Sequence, residues 1–225
     1  MTLDGFRYQI DIVMCIDSTG SMAHLIEEVK ANALRFYEDL ARVLSHKQRS
    51  IDQLRVKIVA FRDYYEDGDK AMTISDFFVL PEKNEDFHSF VRNVRADGGG
   101  DPPETSLEAL ALAIKSEWIR GSKGRQIIVL WTDTTAHPLE RNLAAKPANY
   151  PAGMPQNFDA LTDLWGDSTY IDEKPKRLIL YAPDENPWSV ISEHWDNVIH
   201  YPSQAGKGLE ELDYKTILDT IANSI

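Results

Sequence analysis

The chain has 225 residues, of which 43% are hydrophobic and 27% charged, and its formal net charge is −12. This composition is typical of a globular protein and excludes a disordered chain, and the length suits one α/β domain over residues 1–225. An acidic surface disfavours partners such as nucleic acid and anionic membranes.

The elements of the first half alternate between strand and helix. Residues 10–16 predict a buried strand because they form a short apolar run rich in β-branched side chains. Apolar side chains at helical spacing predict one long helix over 22–46. Residues 54–61 predict a second strand, and 73–80 a third strand that lies antiparallel at the sheet edge.

The second half continues the alternation. Helices are predicted over 84–95 and from the proline pair at 102–103 toward Trp118, and residues 126–131 predict a fourth buried strand. An irregular insertion follows at about 138–175, with a helix over 159–165. The remaining predicted elements are strands at 178–181 and 197–201 and helices at 188–195 and 209–225. The pattern predicts a doubly wound α/β fold, Rossmann-like, with a mostly parallel six-stranded sheet, one antiparallel edge strand and helices on both faces.

The single cysteine and the start of the chain bear on the compartment. Cys15 lies in an apolar run and has no second cysteine to pair with, so we expect a small buried side chain. The N-terminal residues are acidic where a signal peptide needs basic ones, and no stretch approaches the ~20 apolar residues of a membrane helix. We therefore expect a cytoplasmic protein.

Three strand-end loops carry oxygen-bearing side chains. Asp17, Thr19 and Ser21 follow the first strand, Asp101 lies in a glycine-rich loop, and Asp133 follows the fourth strand. In an open parallel sheet the carboxyl ends of the strands lie on one side, and ligands bind there. Carboxylates and hydroxyls without paired His or Cys favour Mg²⁺, with Mn²⁺ or Ca²⁺ as alternatives, and disfavour zinc.

These loops resemble the metal-ion-dependent adhesion site (MIDAS) of von Willebrand factor type A (vWA) domains. Asp17-x-Thr19-x-Ser21 is similar to the family pattern Asp-x-Ser/Thr-x-Ser, and Asp133 matches its distant aspartate. The family's middle ligand is usually a threonine in a glycine-containing loop. Here residues 98–104 read GGGDPPE, which resembles a stand-alone intracellular branch that includes type A domains found beside kinases. Asp101 is our choice for the middle ligand, with Glu104 or Thr105 as substitutes.

The resemblance implies a metal-dependent protein-interaction module. Such a site leaves one coordination position for a carboxylate of a protein partner, which here could belong to a kinase-associated complex. The resemblance implies binding rather than catalysis, so no catalytic residue and no organic cofactor is expected. An additional acidic ligand at the middle position would weaken the attraction to an anionic partner.

Three alternatives stay open. The DSTGS run could be no more than a cap of the following helix, with Ser21 as the N-cap. The protein could be a metal-assisted phosphohydrolase, since Asp17 follows the first strand. However, phosphatases of the haloacid-dehalogenase type need a second Asp two residues later, and Thr19 stands there. The site could also be a pseudo-site that binds a partner without metal.

Two further expectations concern the surroundings of the site. Arg62 and Asp63 are expected to form an ordinary ion pair at a strand end. His24 and His137 flank the predicted site and are expected to be solvated loop residues.

Overall fold

The sheet has the mostly parallel order expected of a doubly wound fold. A computed structural model describes residues 6–98, 102–121, 124–145, 147 and 149–225. Within them the strand order is β3-β2-β1-β5-β6-β7, and β4 also pairs with β2. The strands are β1 (Phe6–Asp17), β2 (Arg49–Phe61), β3 (Met72–Ile74), β4 (Phe78–Leu80), β5 (Gly124–Trp131), β6 (Lys176–Pro183) and β7 (Val198–Ser203).

Both faces of the sheet are covered, as predicted. The helices are α1 (Ala23–Asn32), α2 (Phe36–His46), α3 (Tyr64–Asp67), α4 (Asn84–Asn93), α5 (Ser106–Ile114), α6 (Leu139–Ala145), α7 (Phe158–Gly166), α8 (Trp188–His194) and α9 (Tyr214–Ser224). Side chains of α1, α2, α4 and α9 form one apolar core, and those of α5, α7 and α8 form the other. Among the described residues, no helix has the length and apolar character that crossing a membrane requires.

The central strand β1 shows why the sequence folds this way. Ile10, Ile12 and Met14 face one core, whereas Val13 and Cys15 face the other. Successive side chains of a strand point to opposite faces, so a strand buried on both faces is apolar at most of its positions. The prediction that Cys15 is a small buried side chain is confirmed, since it has no exposed surface.

The edge strand predicted over 73–80 consists of two short strands, β3 and β4. Both lie antiparallel to β2, which gives seven strands rather than six among the described residues. Between them, the Ser75 hydroxyl accepts a hydrogen bond from the Ile58 amide at 2.9 Å and donates one to the Asp76 carbonyl at 2.7 Å. This side chain satisfies a backbone amide of β2 where the regular pairing stops.

The prediction of one continuous helix over 22–46 is wrong. A 3₁₀ turn (Ala33–Arg35) separates α1 from α2. The Asn32 side-chain amide donates to the Glu28 carbonyl at 2.8 Å, and the Arg35 guanidinium donates to the Asn32 side-chain carbonyl at 2.6 Å. Because these side-chain bonds compete with the helical backbone pattern, they favour a break at this point.

The insertion at 138–175 is partly helical. It contains α6 and α7, and α7 agrees with the helix predicted at 159–165. The Asn157 side chain caps α7 by accepting a hydrogen bond from the Ala160 amide at 2.8 Å. α7 packs against α5, so the insertion covers the second core. The end of α7 contacts the amino end of β6, where Lys176 Nζ donates to the Trp165 carbonyl at 2.5 Å.

Candidate functional site

The turn after β1 is organised by the carboxylate of Asp17, which is fully buried. Its Oδ1 accepts hydrogen bonds from the Thr19 amide at 3.0 Å and the Thr19 hydroxyl at 2.6 Å. Ser18 points the other way and donates its hydroxyl to the Phe61 carbonyl at 3.0 Å. The Ser21 hydroxyl lies 3.4 Å from that of Thr19. The alternation Asp17, Thr19, Ser21 therefore gathers three oxygen-bearing groups on one side of the turn.

The turn after β5 meets the turn after β1. Asp133 Oδ1 accepts a hydrogen bond from the Ser21 hydroxyl at 3.1 Å. The Thr132 hydroxyl donates to Asp17 Oδ2 at 2.7 Å. Both hydrogen bonds join residues more than 110 positions apart in sequence. They form because the parallel strands β1 and β5 end at the same edge of the sheet.

A third segment, after β7, supports Asp133. The Gly206 amide donates to the Asp133 carbonyl at 2.7 Å, and the Gly208 amide donates to Asp133 Oδ2 at 2.8 Å. Sequence reasoning missed this segment and the role of Thr132. The glycine-rich stretch 206–208 and the hydroxyl directly before Asp133 were the available signals.

The helix-cap alternative for the DSTGS run is wrong. Ser21 lies inside a short 3₁₀ turn (Gly20–Met22), and α1 has Met22 at its N-cap. Neither Thr19 nor Met22, which stand at the two N-cap positions, makes a side-chain capping bond. The Ser21 hydroxyl is directed to Asp133 instead.

The middle loop contributes Glu104 to the site, whereas Asp101 lies outside the described residues. Thr105 is fully buried, and its hydroxyl accepts a hydrogen bond from the Tyr64 amide at 3.0 Å. Glu104 is only 4% exposed, and its Oε2 finds no hydrogen-bond partner within the described part of the chain. Of the two substitutes for Asp101, the structure brings Glu104 to the site and commits Thr105 to α3.

These groups border an open cleft of about 470 Å³. Thr19, Ser21, Glu104 and Asp133 line it together with Glu185, and the described lining residues include no Lys or Arg. Such a cleft has a negative potential and attracts cations. In the described residues, no group of three or more His, Cys, Asp and Glu side chains is arranged to hold a metal ion. Any ion here would therefore depend on the hydroxyls of Thr19 and Ser21 as well as on carboxylates.

The surroundings raise the pKa of two carboxyl groups, those of Asp17 and Glu104. Burial raises the pKa of Asp17 to about 6, although hydrogen bonds from Thr19 and Thr132 oppose the effect. The pKa of Glu104 rises to about 9, chiefly because the carboxyl group is desolvated and also because Asp17, Asp63, Asp67 and Asp133 are nearby. Both shifts arise mainly from the burial of the carboxyl group, and repulsion by nearby carboxylates adds a smaller contribution.

Two expectations about the surroundings are wrong. Asp63 pairs with His137 rather than Arg62, with 2.9 Å between Oδ2 and Nε2, while Arg62 lies 3.6 Å from Asp67. His137 is 2% exposed, so it is not a solvated loop residue. The Arg141 guanidinium contacts His137 Nδ1 at 2.8 Å. Since an arginine can only donate, Nδ1 is the acceptor and Nε2–H donates to Asp63.

Comparisons with known proteins match this chain to one family of domains. The sequence profile of the von Willebrand factor A domain matches residues 11–145. Alpha-protein kinase vwkA of Dictyostelium discoideum is 28% identical over 158 residues, which is 69% of this chain and 23% of the kinase. A putative ariadne-like RING finger protein R811 of Acanthamoeba polyphaga mimivirus is 25% identical over 154 residues, 67% of this chain and 14% of that protein. The chain thus spans less than a quarter of either relative.

A solved structure shares the fold. The pilus adhesin SpaC from Lactobacillus rhamnosus GG aligns with 96% of this chain and 30% of its own, with a TM-score of 0.53 and 10% sequence identity. At this identity the likeness concerns the arrangement of strands and helices alone.

Proposed function

Because the chain belongs to the von Willebrand factor A domain family, we propose that it is a divalent-cation-dependent protein-interaction module with a MIDAS-like site. The observation that carries this proposal is the contact between the turns after β1 and β5, where the Ser21 hydroxyl lies 3.1 Å from Asp133 Oδ1. The family comprises protein-interaction modules. The cleft supplies the surface on which a partner would bind.

The side chains at the cleft fit a hard cation. Thr19 and Ser21 offer hydroxyl oxygens, while Asp17 and Asp133 offer carboxylates and hold those hydroxyls in place. This donor set suits Mg²⁺, or Mn²⁺ or Ca²⁺, and contains no soft ligand for zinc. When bound, such an ion supplies the positive charge that attracts an acidic group of a partner. The chain's own residues position the oxygens and shape the cleft.

We propose binding rather than catalysis. A phosphohydrolase acting through Asp17 would need an acid two residues later, and Thr19 instead donates its hydroxyl to Asp17 Oδ1 at 2.6 Å. Both carboxylate oxygens of Asp17 also accept hydrogen bonds from neighbouring hydroxyls, which disfavours its use as a nucleophile. Hydrolysis of a generic phosphate ester that disappears in Asp17→Ala would contradict this part of the proposal.

The partner class follows from the relatives. One relative is named an alpha-protein kinase and the other a RING finger protein, and each is several times longer than the matched segment. We propose that this chain acts beside such a unit, in the cytoplasm, and recruits a protein partner to a kinase-associated complex.

A cation titration tests the proposal. The melting temperature of the EDTA-treated protein should rise with added MgCl₂ or MnCl₂, since an ion that binds only the folded state adds about 2.7 kcal/mol at a hundredfold excess over its Kd. Ser21→Ala should abolish most of the rise because it removes a hydroxyl at the cleft. Ser89→Ala removes an exposed hydroxyl on α4 and should leave the rise intact. No rise in the unaltered protein would leave the pseudo-site as the better explanation.

A further inference from the structure

An apolar groove adjoins the cleft, and the proposed function does not use it. The groove has a volume of about 370 Å³ and lies between α5, α6, α7 and α8. Leu107 of α5 and Leu139 of α6 are buried at its base, whereas Phe158 of α7 and Val190 of α8 are half-buried in its walls. Apolar side chains that border a concave surface are typical of a binding site for a partner.

The groove and the cleft share two segments of the chain. In the loop after β5, Thr135 lines the cleft and Ala136 lines the groove. In the loop before α8, Glu185 lines the cleft and Asn186 lines the groove. Consecutive Cα atoms are about 3.8 Å apart, so the two cavities are neighbours. A partner segment of a few extended residues can therefore contact both.

Side-chain contacts hold the walls of the groove in place. The Trp188 indole donates a hydrogen bond to the Thr134 carbonyl at 2.8 Å, which joins α8 to the loop after β5. The Phe158 ring stacks on that of Trp195, with 6.3 Å between the centroids, and so joins the start of α7 to the end of α8. A surface that is fixed before binding loses little conformational freedom when a partner arrives.

The rim of the groove is acidic. Glu140 is an exposed lining residue, and the described lining residues of the groove include no Lys or Arg. Two more exposed carboxylates, those of Asp159 and Glu185, stand next in sequence to lining residues. An apolar groove with an acidic rim repels an acidic segment and attracts one that carries Lys or Arg beside its apolar side chains.

From these observations we propose that the groove is a second anchoring surface for a protein partner, and that it binds an apolar side chain flanked by Lys or Arg. The inference deepens the proposed function and rests on it for the partner being a protein. The acidic group of the partner approaches the cleft, while neighbouring apolar and basic residues contact the groove and Glu140. Partner choice then depends on the sequence around the acidic group as well as on that group.

A nuclear magnetic resonance titration in EDTA tests the groove separately from any cation. The probe is the acetylated and amidated tetrapeptide Lys-Leu-Leu-Lys, which has no carboxylate. It should shift the amide signals of Phe158 and Val190 in a saturable way. Capped Glu-Leu-Leu-Glu and Lys-Ser-Ser-Lys should each bind at least ~3-fold more weakly, because the first lacks the positive charge and the second lacks the apolar side chains.

Two variants with matched controls locate the peptide. Val190→Asn removes apolar surface from the groove and should weaken binding of Lys-Leu-Leu-Lys about 5-fold. Leu34→Asn makes a similar change at a position that is 40% exposed, before α2, and should leave the Kd unchanged. Glu140→Lys should weaken binding about 2- to 5-fold. Glu82→Lys reverses the same charge at an exposed position between β4 and α4 and should have no effect. The dispersion of the amide signals shows that each variant folds.

Several results would overturn the inference. These are the lack of any saturable shift, equal binding of the Lys and Glu peptides, and full affinity in Val190→Asn. Shifts at Phe158 and Val190 that grow with protein concentration alone would assign the groove to a second copy of the chain instead. Loss of peptide binding in a protein that still responds to cations refutes this inference alone. Peptide binding in a protein that ignores cations supports the groove and refutes only the proposed cation dependence.

Discussion

A largely buried ion pair in the middle of β1 should contribute strongly to the stability of the sheet. Asp11 is 1% exposed and accepts hydrogen bonds from Arg55 Nε at 2.8 Å and Nη2 at 2.6 Å. It also accepts one from the Ile119 amide at 2.6 Å. Asp11 and Arg55 are register partners on β1 and β2, and the guanidinium lies 4.3 Å from the ring centroid of Phe77. Asp11→Ala would leave both the guanidinium and the amide without this acceptor.

The expected cost is large because only one partner of a buried pair is removed. Such changes cost about 3–5 kcal/mol, whereas exposed pairs contribute about 0–1 kcal/mol. With a urea dependence near 3 kcal/mol per molar, the unfolding midpoint should fall by about 1–1.7 M. Tryptophan fluorescence in a urea titration measures this directly.

The chain offers a matched control for this experiment. Asp52 lies 4.0 Å from Arg7 on the same pair of strands, and the two side chains are 50% and 71% exposed. Asp52→Ala should move the midpoint very little. If Asp11→Ala were no more harmful than Asp52→Ala, the reasoning about the buried pair would be refuted. Replacing both members, with Asp11→Leu and Arg55→Met together, should recover part of the loss.

The remaining predictions concern the site and the core. Burial raises the pKa of Glu104 from its ordinary 4.5 to about 9. The stability that the protonated carboxyl group gives the folded protein is therefore lost as the pH rises through that range. In EDTA, the stability of Glu104→Gln relative to the unaltered protein should therefore increase as the pH rises from 5 to 9. Thermal melts at several pH values measure this, and a difference in stability that stays constant with pH would contradict the prediction. Gly208→Ala should disturb cation binding because its Cβ would lie 2.0 Å from the Ser21 carbonyl oxygen. Gly206→Ala, at a similar φ of +70° with open space, should cost about 1 kcal/mol of stability but keep the ion, as titration of both variants would show. Burial raises the pKa of the Cys15 thiol, which should react with a thiol reagent only on unfolding, and rapid labelling of the native protein would disprove the burial.

The sequence alone was sufficient to predict the fold class. The apolar runs at 10–16 and 126–131 became β1 and β5, because a strand with both faces covered is hydrophobic at most of its positions. Turn residues directly after these runs predicted where the oxygen-bearing side chains lie. Parallel pairing then required Asp17 and Asp133 to be at the same edge of the sheet.

Contacts between distant segments had to come from the tertiary structure. The pairing of Asp63 with His137 spans 74 positions and is present where a local pair with Arg62 was expected. Likewise, the choice between Glu104 and Thr105 depended on which side chain faced the cleft and which accepted the Tyr64 amide. Spacing along a chain specifies which face a side chain occupies, but its partner is chosen by the elements that pack against that face.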